Sequence, residues 1–232
     1  MQREPRHFHA LHLLGVIELE CGDIQTGIDL IDASIAIEPN QAMAHSNLGN
    51  GLSRLDRKEE ALQSYTRSLE LDAEHIDTHH SRAFVLVRMG RFEEALASYE
   101  NVLRLRPEFA EAITDRGNVL RELKRFDEAL ESYDRALSLK PDYPQAHSNR
   151  GAALQDLNRF EDALHSYDKA LEFRPDSVEV LSNRGAILRR LYRHDEALAD
   201  YDSALKLSPE NVEAHMNRGN ALRELNRIQE AL

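Results

Sequence analysis

Three residue classes in this chain of 232 residues have types and spacing that could do chemistry. Histidine is the first. His7, His9 and His12 crowd the first dozen residues, and closely spaced neutral imidazoles can take up a metal ion. A metal site also needs carboxylate or thiolate partners. None is evident here, no HExxH segment occurs and Cys21 is the single cysteine. The three read as surface histidines, and no metal or other cofactor is expected. Acidic runs are the second class: FEEA at 92–95, FDEA at 126–129 and FEDA at 160–163. Paired carboxylates can share general acid and base work. These runs recur at one interval and open helices, where negative charge complements the helix dipole. No glycine belongs to a GxxxxGK[ST] phosphate loop. No convergent catalytic constellation emerges, so the chain by itself is not expected to be an enzyme.

Asparagine is the third class. Asn47, Asn149, Asn183 and Asn217 stand in one register with Asp115, and Asn50, Asn118 and Asn220 follow in a second register three residues on. A carboxamide offers one acceptor and two donors, which matches a peptide unit. Asparagine is a mediocre helix former, so its recurrence on helices points to a task. These eight residues are the candidate peptide-binding set. Duplication of a repeat, which copies residues without present use, is the competing explanation.

The positions belong to a period. Gly15, Gly49, Ala83, Gly117, Gly151, Gly185 and Gly219 recur every 34 residues. A small residue follows twelve later, from Gly27 and Ala61 to Ala231. Tyr65, Tyr99, Tyr133, Tyr167 and Tyr201 stand four beyond that, with Pro39, Pro107, Pro141, Pro175 and Pro209 eight further on. This pattern resembles the tetratricopeptide repeat, a helix–turn–helix unit of about that length. The resemblance implies an all-α, right-handed superhelix of antiparallel helix pairs. It spans residues 1–232 as one array, with repeats at 8–41, 42–75, 76–109, 110–143, 144–177, 178–211 and a truncated seventh at 212–232. Helix A of each repeat is expected at positions 2–14 and helix B at 18–31, with a turn at 15 or 16 and Pro stopping helix B. The small residues at positions 8, 20 and 27 let the two helices cross closely around the tyrosine.

Position 7 is arginine in Arg82, Arg116, Arg150, Arg184 and Arg218, and position 25 is acidic in Glu100, Asp134, Asp168 and Asp202. Bridges across repeat boundaries are expected for Arg116–Glu100, Arg150–Asp134, Arg184–Asp168 and Arg218–Asp202. Leu48 opposite Asp32 and Arg82 opposite Thr66 break the pattern, so the first two junctions should differ. His45, His79, His147 and His215 at position 4 are expected to pack between helices. Positions 2, 5, 6, 9, 12 and 13 of helix A are left for the inner face, which in this family the A helices line.

Net charge is −12, which repels a phosphate backbone and argues against nucleic acid. No apolar run approaches the ~20 residues of a membrane span. The single cysteine fits a reducing, cytoplasmic setting. Exposed apolar stripes are expected at both ends, on Ala10, Leu14, Ile17 and Cys21 and around Leu225, Ile228 and Leu232, so end-to-end self-association is expected. Pro5 occupies the proline register of a preceding repeat, and the truncated seventh repeat carries no capping helix; the chain reads as a fragment of a longer array.

Two family comparisons bear on function. Co-chaperones of this family clamp a C-terminal carboxylate with Lys at positions 2 and 5 and Arg at position 6. Position 5 here reads His12, Ser46, His80, Thr114, Ser148, Ser182 and Met216, so that clamp is missing. The segments ALHLLGVI (10–17) and AHSNLGNGL (44–52) are similar to the repeat arm of O-linked N-acetylglucosamine transferases, where inner-face asparagines hold a substrate backbone. The expected function is a scaffold that binds an extended protein or peptide segment, possessing a preference for basic flanks through Asp77, Glu111, Glu179 and Glu213. The alternative is the substrate-recruiting arm of a larger glycosyltransferase.

Overall fold

The computed structural model describes residues 6–227. Every regular element among them is an α-helix: α1 (Arg6–Cys21), α2 (Ile24–Ile37), α3 (Ala42–Arg54), α4 (Lys58–Leu71), α5 (Ile76–Arg88), α6 (Phe92–Leu105), α7 (Ala110–Glu122), α8 (Phe126–Leu139), α9 (Pro144–Asp156), α10 (Phe160–Phe173), α11 (Val178–Arg190), α12 (His194–Leu207) and α13 (Val212–Glu224). The thirteen helices expected are present. After the first pair, each begins and ends one residue earlier than the expected bounds. Ile228 and Leu232 lie outside the described residues, as does Pro5.

The chain forms two compact units, Met1–Ala112 and Ile113–Leu232. In the first, α1 packs on α2, α3 on α4 and α5 on α6. In the second, α9 packs on α10 and α11 on α12, with α8 against α9 and α12 against α13. The odd-numbered helices are the A helices and the even-numbered ones the B helices.

The turn from A to B is built the same way each time. Position 15 adopts a left-handed backbone, with φ 60° at Asp56 and Lys124, 58° at Asn158, 61° at Tyr192 and 70° at Gly90. The next amide then reaches back to a carbonyl in the last helical turn: Arg57 N to Leu52 O at 3.0 Å, Arg159 N to Leu154 O at 2.8 Å and Arg193 N to Leu188 O at 2.9 Å. This 6→1 bond closes the helix C-terminus. Position 16 is Arg in these turns and pairs with the acid three residues on, as in Arg57–Glu60, Arg91–Glu94, Arg125–Glu128 and Arg159–Asp162. The acidic runs are therefore spent on helix starts, as expected.

Close crossing of A and B explains the mid-helix glycines. The tyrosine at position 24 is fully buried in Tyr133, Tyr167 and Tyr201. A Cβ built on Gly49, Gly117, Gly151 or Gly185 would fall 2.5–2.8 Å from the ring of its own tyrosine. Buried alanines at positions 3 and 20, such as Ala146 and Ala163, complete the same interface.

Candidate peptide-binding face

The junctions between repeats position the A helices. Three of the four expected ion pairs form: Arg150–Asp134 at 2.7 Å, Arg184–Asp168 at 2.6 Å and Arg218–Asp202 at 2.6 Å. The partners of the fourth, Arg116 and Glu100, belong to different units. Arg82, Arg116, Arg150 and Arg184 are also tied within their own repeats. Arg82, Arg116 and Arg150 donate to Ser98, Ser132 and Ser166 at 2.6–2.7 Å. These serines in turn donate to the carbonyl four residues back. In the sixth repeat Asp200 replaces the serine and takes a bidentate bond from Arg184 at 2.8 and 2.6 Å. The hydrogen bonds to Asp200 hold the Arg184 guanidinium more firmly protonated than usual, against a desolvation that works the other way. The first two junctions differ as expected: Leu48 is buried, and Arg82 turns to Ser98 and to Glu94 at 4.0 Å.

The position 4 histidines do more than pack. In each, Nε2 meets the carbonyl six residues earlier, in the turn from the preceding B helix: His45 to Pro39 at 2.8 Å, His79 to Ala73 at 3.0 Å, His147 to Pro141 at 2.9 Å and His215 to Pro209 at 2.8 Å. They tie down the chain just before each A helix. Burial lowers the pKa of His79 and His147 below the usual histidine range.

Position 5 corrects the expected inner face. Ser46, Thr114, Ser148 and Ser182 are buried. Thr78 Oγ1 donates to Ser46 Oγ at 2.8 Å, and Ser68 Oγ donates to the Ala42 carbonyl. Small hydroxyl residues here form packing contacts, so position 5 leaves the accessible surface in those repeats, while Met216 at the same position stays exposed.

All eight candidate residues are half-buried on the A helices, yet their hydrogen-bonding states divide. Asn50 and Asn118 each accept the hydroxyl of their own repeat's tyrosine, Tyr65 or Tyr133, at 2.8 Å. Asn118 also accepts from Asn149 Nδ2 at 2.7 Å, while Asn149 Oδ1 accepts from Gln145 at 3.0 Å. Asn47 bonds His12 at 2.9 Å. Asn183, Asn217 and Asn220 have no such partner among the described residues. Asn183 lines a groove of about 410 Å³ with Glu179, Ser182, Asn211 and Glu213. Of the position 12 arginines, Arg121 is held by Asp156 and Arg189 by Glu224, each at 2.8 Å. The carboxylates of Glu179 and Glu213 have no cation against them. Among the described residues, no group of three or more His, Cys, Asp or Glu residues could hold a metal ion, and no helix is long and apolar enough to cross a membrane.

Sequence models of the tetratricopeptide repeat match residues 76–109, 117–158, 144–177 and 189–226. A model described as a bacterial transcriptional activator domain matches residues 2–85. No curated protein matches the chain. Among solved structures, a tetratricopeptide repeat protein from Parabacteroides merdae superposes with a TM-score of 0.82 at 20% identity, covering 97% of this chain and 89% of its own. PilF of Pseudomonas aeruginosa superposes at 0.77 and 19% identity, covering 93% and 98%. YrrB, described as a protein of this family with an unusual peptide-binding site, superposes at 0.63 and 25% identity, covering 79% and 95%. Together with the helix pairs above, these matches identify the chain as a tetratricopeptide-repeat protein. Its fold is that of a protein-interaction scaffold.

Proposed function

We propose that this chain binds an extended protein or peptide segment along its A helices, centred on Asn183 and Asn217, with Glu179 and Glu213 drawing basic flanking residues. One observation carries the reading: these two asparagines keep donors and acceptor open beside unpaired carboxylates, whereas Asn47, Asn50, Asn118 and Asn149 spend part of that capacity inside the protein. Asn220 and Asp115 extend the set along α13 and α7. The peptide-binding site named for YrrB supports the reading. Each hydrogen bond contributes only about 0.5–1.5 kcal/mol net, so affinity is modest and spread over repeats. No observation in the structure favours the alternative, the recruiting arm of a larger glycosyltransferase. The lone cysteine fits a cytoplasmic setting, and the exposed Leu14 and Ile17 on α1 support association of copies end to end.

The test uses a blocked, labelled extended peptide carrying two lysines around an alanine core, followed by fluorescence anisotropy, with circular dichroism as the fold control. Asn183→Ala with Asn217→Ala should weaken binding at least tenfold while helicity stays. Unchanged binding by an intact fold would refute the site.

A further inference from the structure

A concavity in the second unit reaches from the A helices to the edge formed by the A-to-B turns. It holds about 840 Å³ and is lined by Asp156, Phe160, Arg189, Arg190, Tyr192, His194 and Glu224, among others. Three features set it apart from the equivalent edge elsewhere in the chain.

First, Arg190 lacks the acid that its counterpart has. Arg88, three repeats earlier at the same position 13 of its A helix, pairs with Asp56 at 2.6 Å, in position 15 of the preceding repeat. The equivalent of Asp56 for Arg190 is Asn158, which carries no charge. Arg190 instead lays its guanidinium over the Phe160 ring, 4.7 Å from the centroid. Stacking fixes the plane of the guanidinium and leaves its N–H edge free for a planar acceptor. Second, Tyr192 stands 84% exposed at φ 61°. A bulky aromatic in the left-handed region is uncommon; this ring meets His194 edge-on, 6.0 Å between centroids, and leaves most of its surface in solvent. Third, the acids of the groove are already matched. Asp156 is bound by Arg121 at 2.8 Å, and Glu224 by Arg189 at 2.8 Å with His194 Nδ1 3.3 Å away. The cation left over is Arg190.

We propose that this turn-edge groove is a second binding site, for a protein segment carrying a carboxylate beside an aromatic or large apolar side chain. The carboxylate takes the bidentate edge of Arg190, and the apolar side chain lies between Phe160 and Tyr192. The ligand has the opposite charge preference from the one read for the asparagine face, so the two sites are independent. With a chain charge of −12, no general attraction draws acidic peptides, and binding reports the local site.

The probe is a blocked, fluorescein-labelled peptide of sequence Gly-Asp-Phe-Asp-Gly, compared with Gly-Asn-Phe-Asn-Gly, titrated into the full chain by anisotropy. Saturable binding of the first, at least tenfold tighter than the second, is expected. Arg190→Gln should remove that discrimination and Arg190→Lys should restore part of it, since charge returns without the planar fork. Tyr192→Gly should weaken the acidic peptide severalfold at unchanged helicity. An unlabelled lysine peptide should not displace the probe. Absence of saturable binding, equal affinity for the two peptides, or full affinity in Arg190→Gln would each overturn the proposal, as would displacement by the lysine peptide.

Discussion

A Cβ built on Gly151 falls 2.8 Å from Cε1 of Tyr167, inside the distance at which real side-chain carbons pack. Tyr167 is fully buried and its ring cannot swing aside without disturbing both helices. Glycine here costs roughly 0.5–1 kcal/mol of helix propensity against alanine, and the crossing offsets it. The third repeat shows the packing can be remade with a methyl, because Ala83 stands opposite Tyr99. Gly151→Ala should therefore destabilise by only about 1 kcal/mol in urea unfolding. Gly151→Leu should cost about 3 kcal/mol or more, in the range of severe overpacking. An Ala variant more stable than wild type would contradict the close-crossing account.

Tyr192 provides a test in the other direction. A left-handed backbone costs an L-residue roughly 1–2 kcal/mol, and glycine relieves it at this turn. Tyr192→Gly is expected to raise the stability of the second unit by about 1 kcal/mol. Gly90→Ala, at the same turn position with φ 70°, should lower stability by a similar amount. Thermal melts of both variants check the pair of signs together.

Arg184 separates a charge effect from a shape effect. Its side chain is 25% exposed and Asp200 only 7%. Removing one partner of such a pair leaves the other poorly solvated, and partial exposure of the arginine softens the loss. Asp200→Ala should cost about 1–2 kcal/mol. Asp200→Ser should cost less, since Arg82, Arg116 and Arg150 all donate to serine at this position. Equal losses for the two would mean that the carboxylate, and not a hydrogen-bond acceptor, is what the site requires.

The histidines predict a pH dependence. Burial lowers the folded-state pKa of His79 and His147 below 6.5. The folded state therefore binds fewer protons than the unfolded chain. This contribution is fully present above about pH 6.5 and declines as pH falls from there toward the lowered folded pKa. Urea midpoints between pH 8 and 5 should fall, and His79→Gln with His147→Gln should flatten that part of the profile. A profile unchanged by the double substitution would assign the pH response to other groups.

Pairings that depend on one register were readable in the residues themselves. Gly151 with Tyr167, and Arg150 with Asp134, follow from fixed offsets because a 34-residue period repeats every contact. What escaped the reading depends on side-chain direction. Ser132 and Ser166 recur at position 23 as clearly as the arginines do at position 7, and that recurrence was the available signal for their bond. His45 and His147 are expected from the sequence to pack between helices, and the imidazole also finds the turn carbonyl as a hydrogen-bond partner. Ser148 and Ser182 are small enough to be buried, which their polarity disguised. The division of the asparagines was not legible, because it depends on whether a neighbouring tyrosine hydroxyl or carboxamide reaches each one.

The contrast between junctions bears on how the protein comes apart. In the first unit Leu48 meets its neighbour through buried apolar contact, while in the second Arg150, Arg184 and Arg218 meet theirs through half-exposed ion pairs. Sodium chloride and sodium sulfate both screen such pairs, and sulfate also strengthens apolar burial. Added salt therefore opens the later repeats first, and sulfate widens the difference by strengthening the apolar junction at Leu48. How easily that seam gives way, not where it lies, is what the buffer sets.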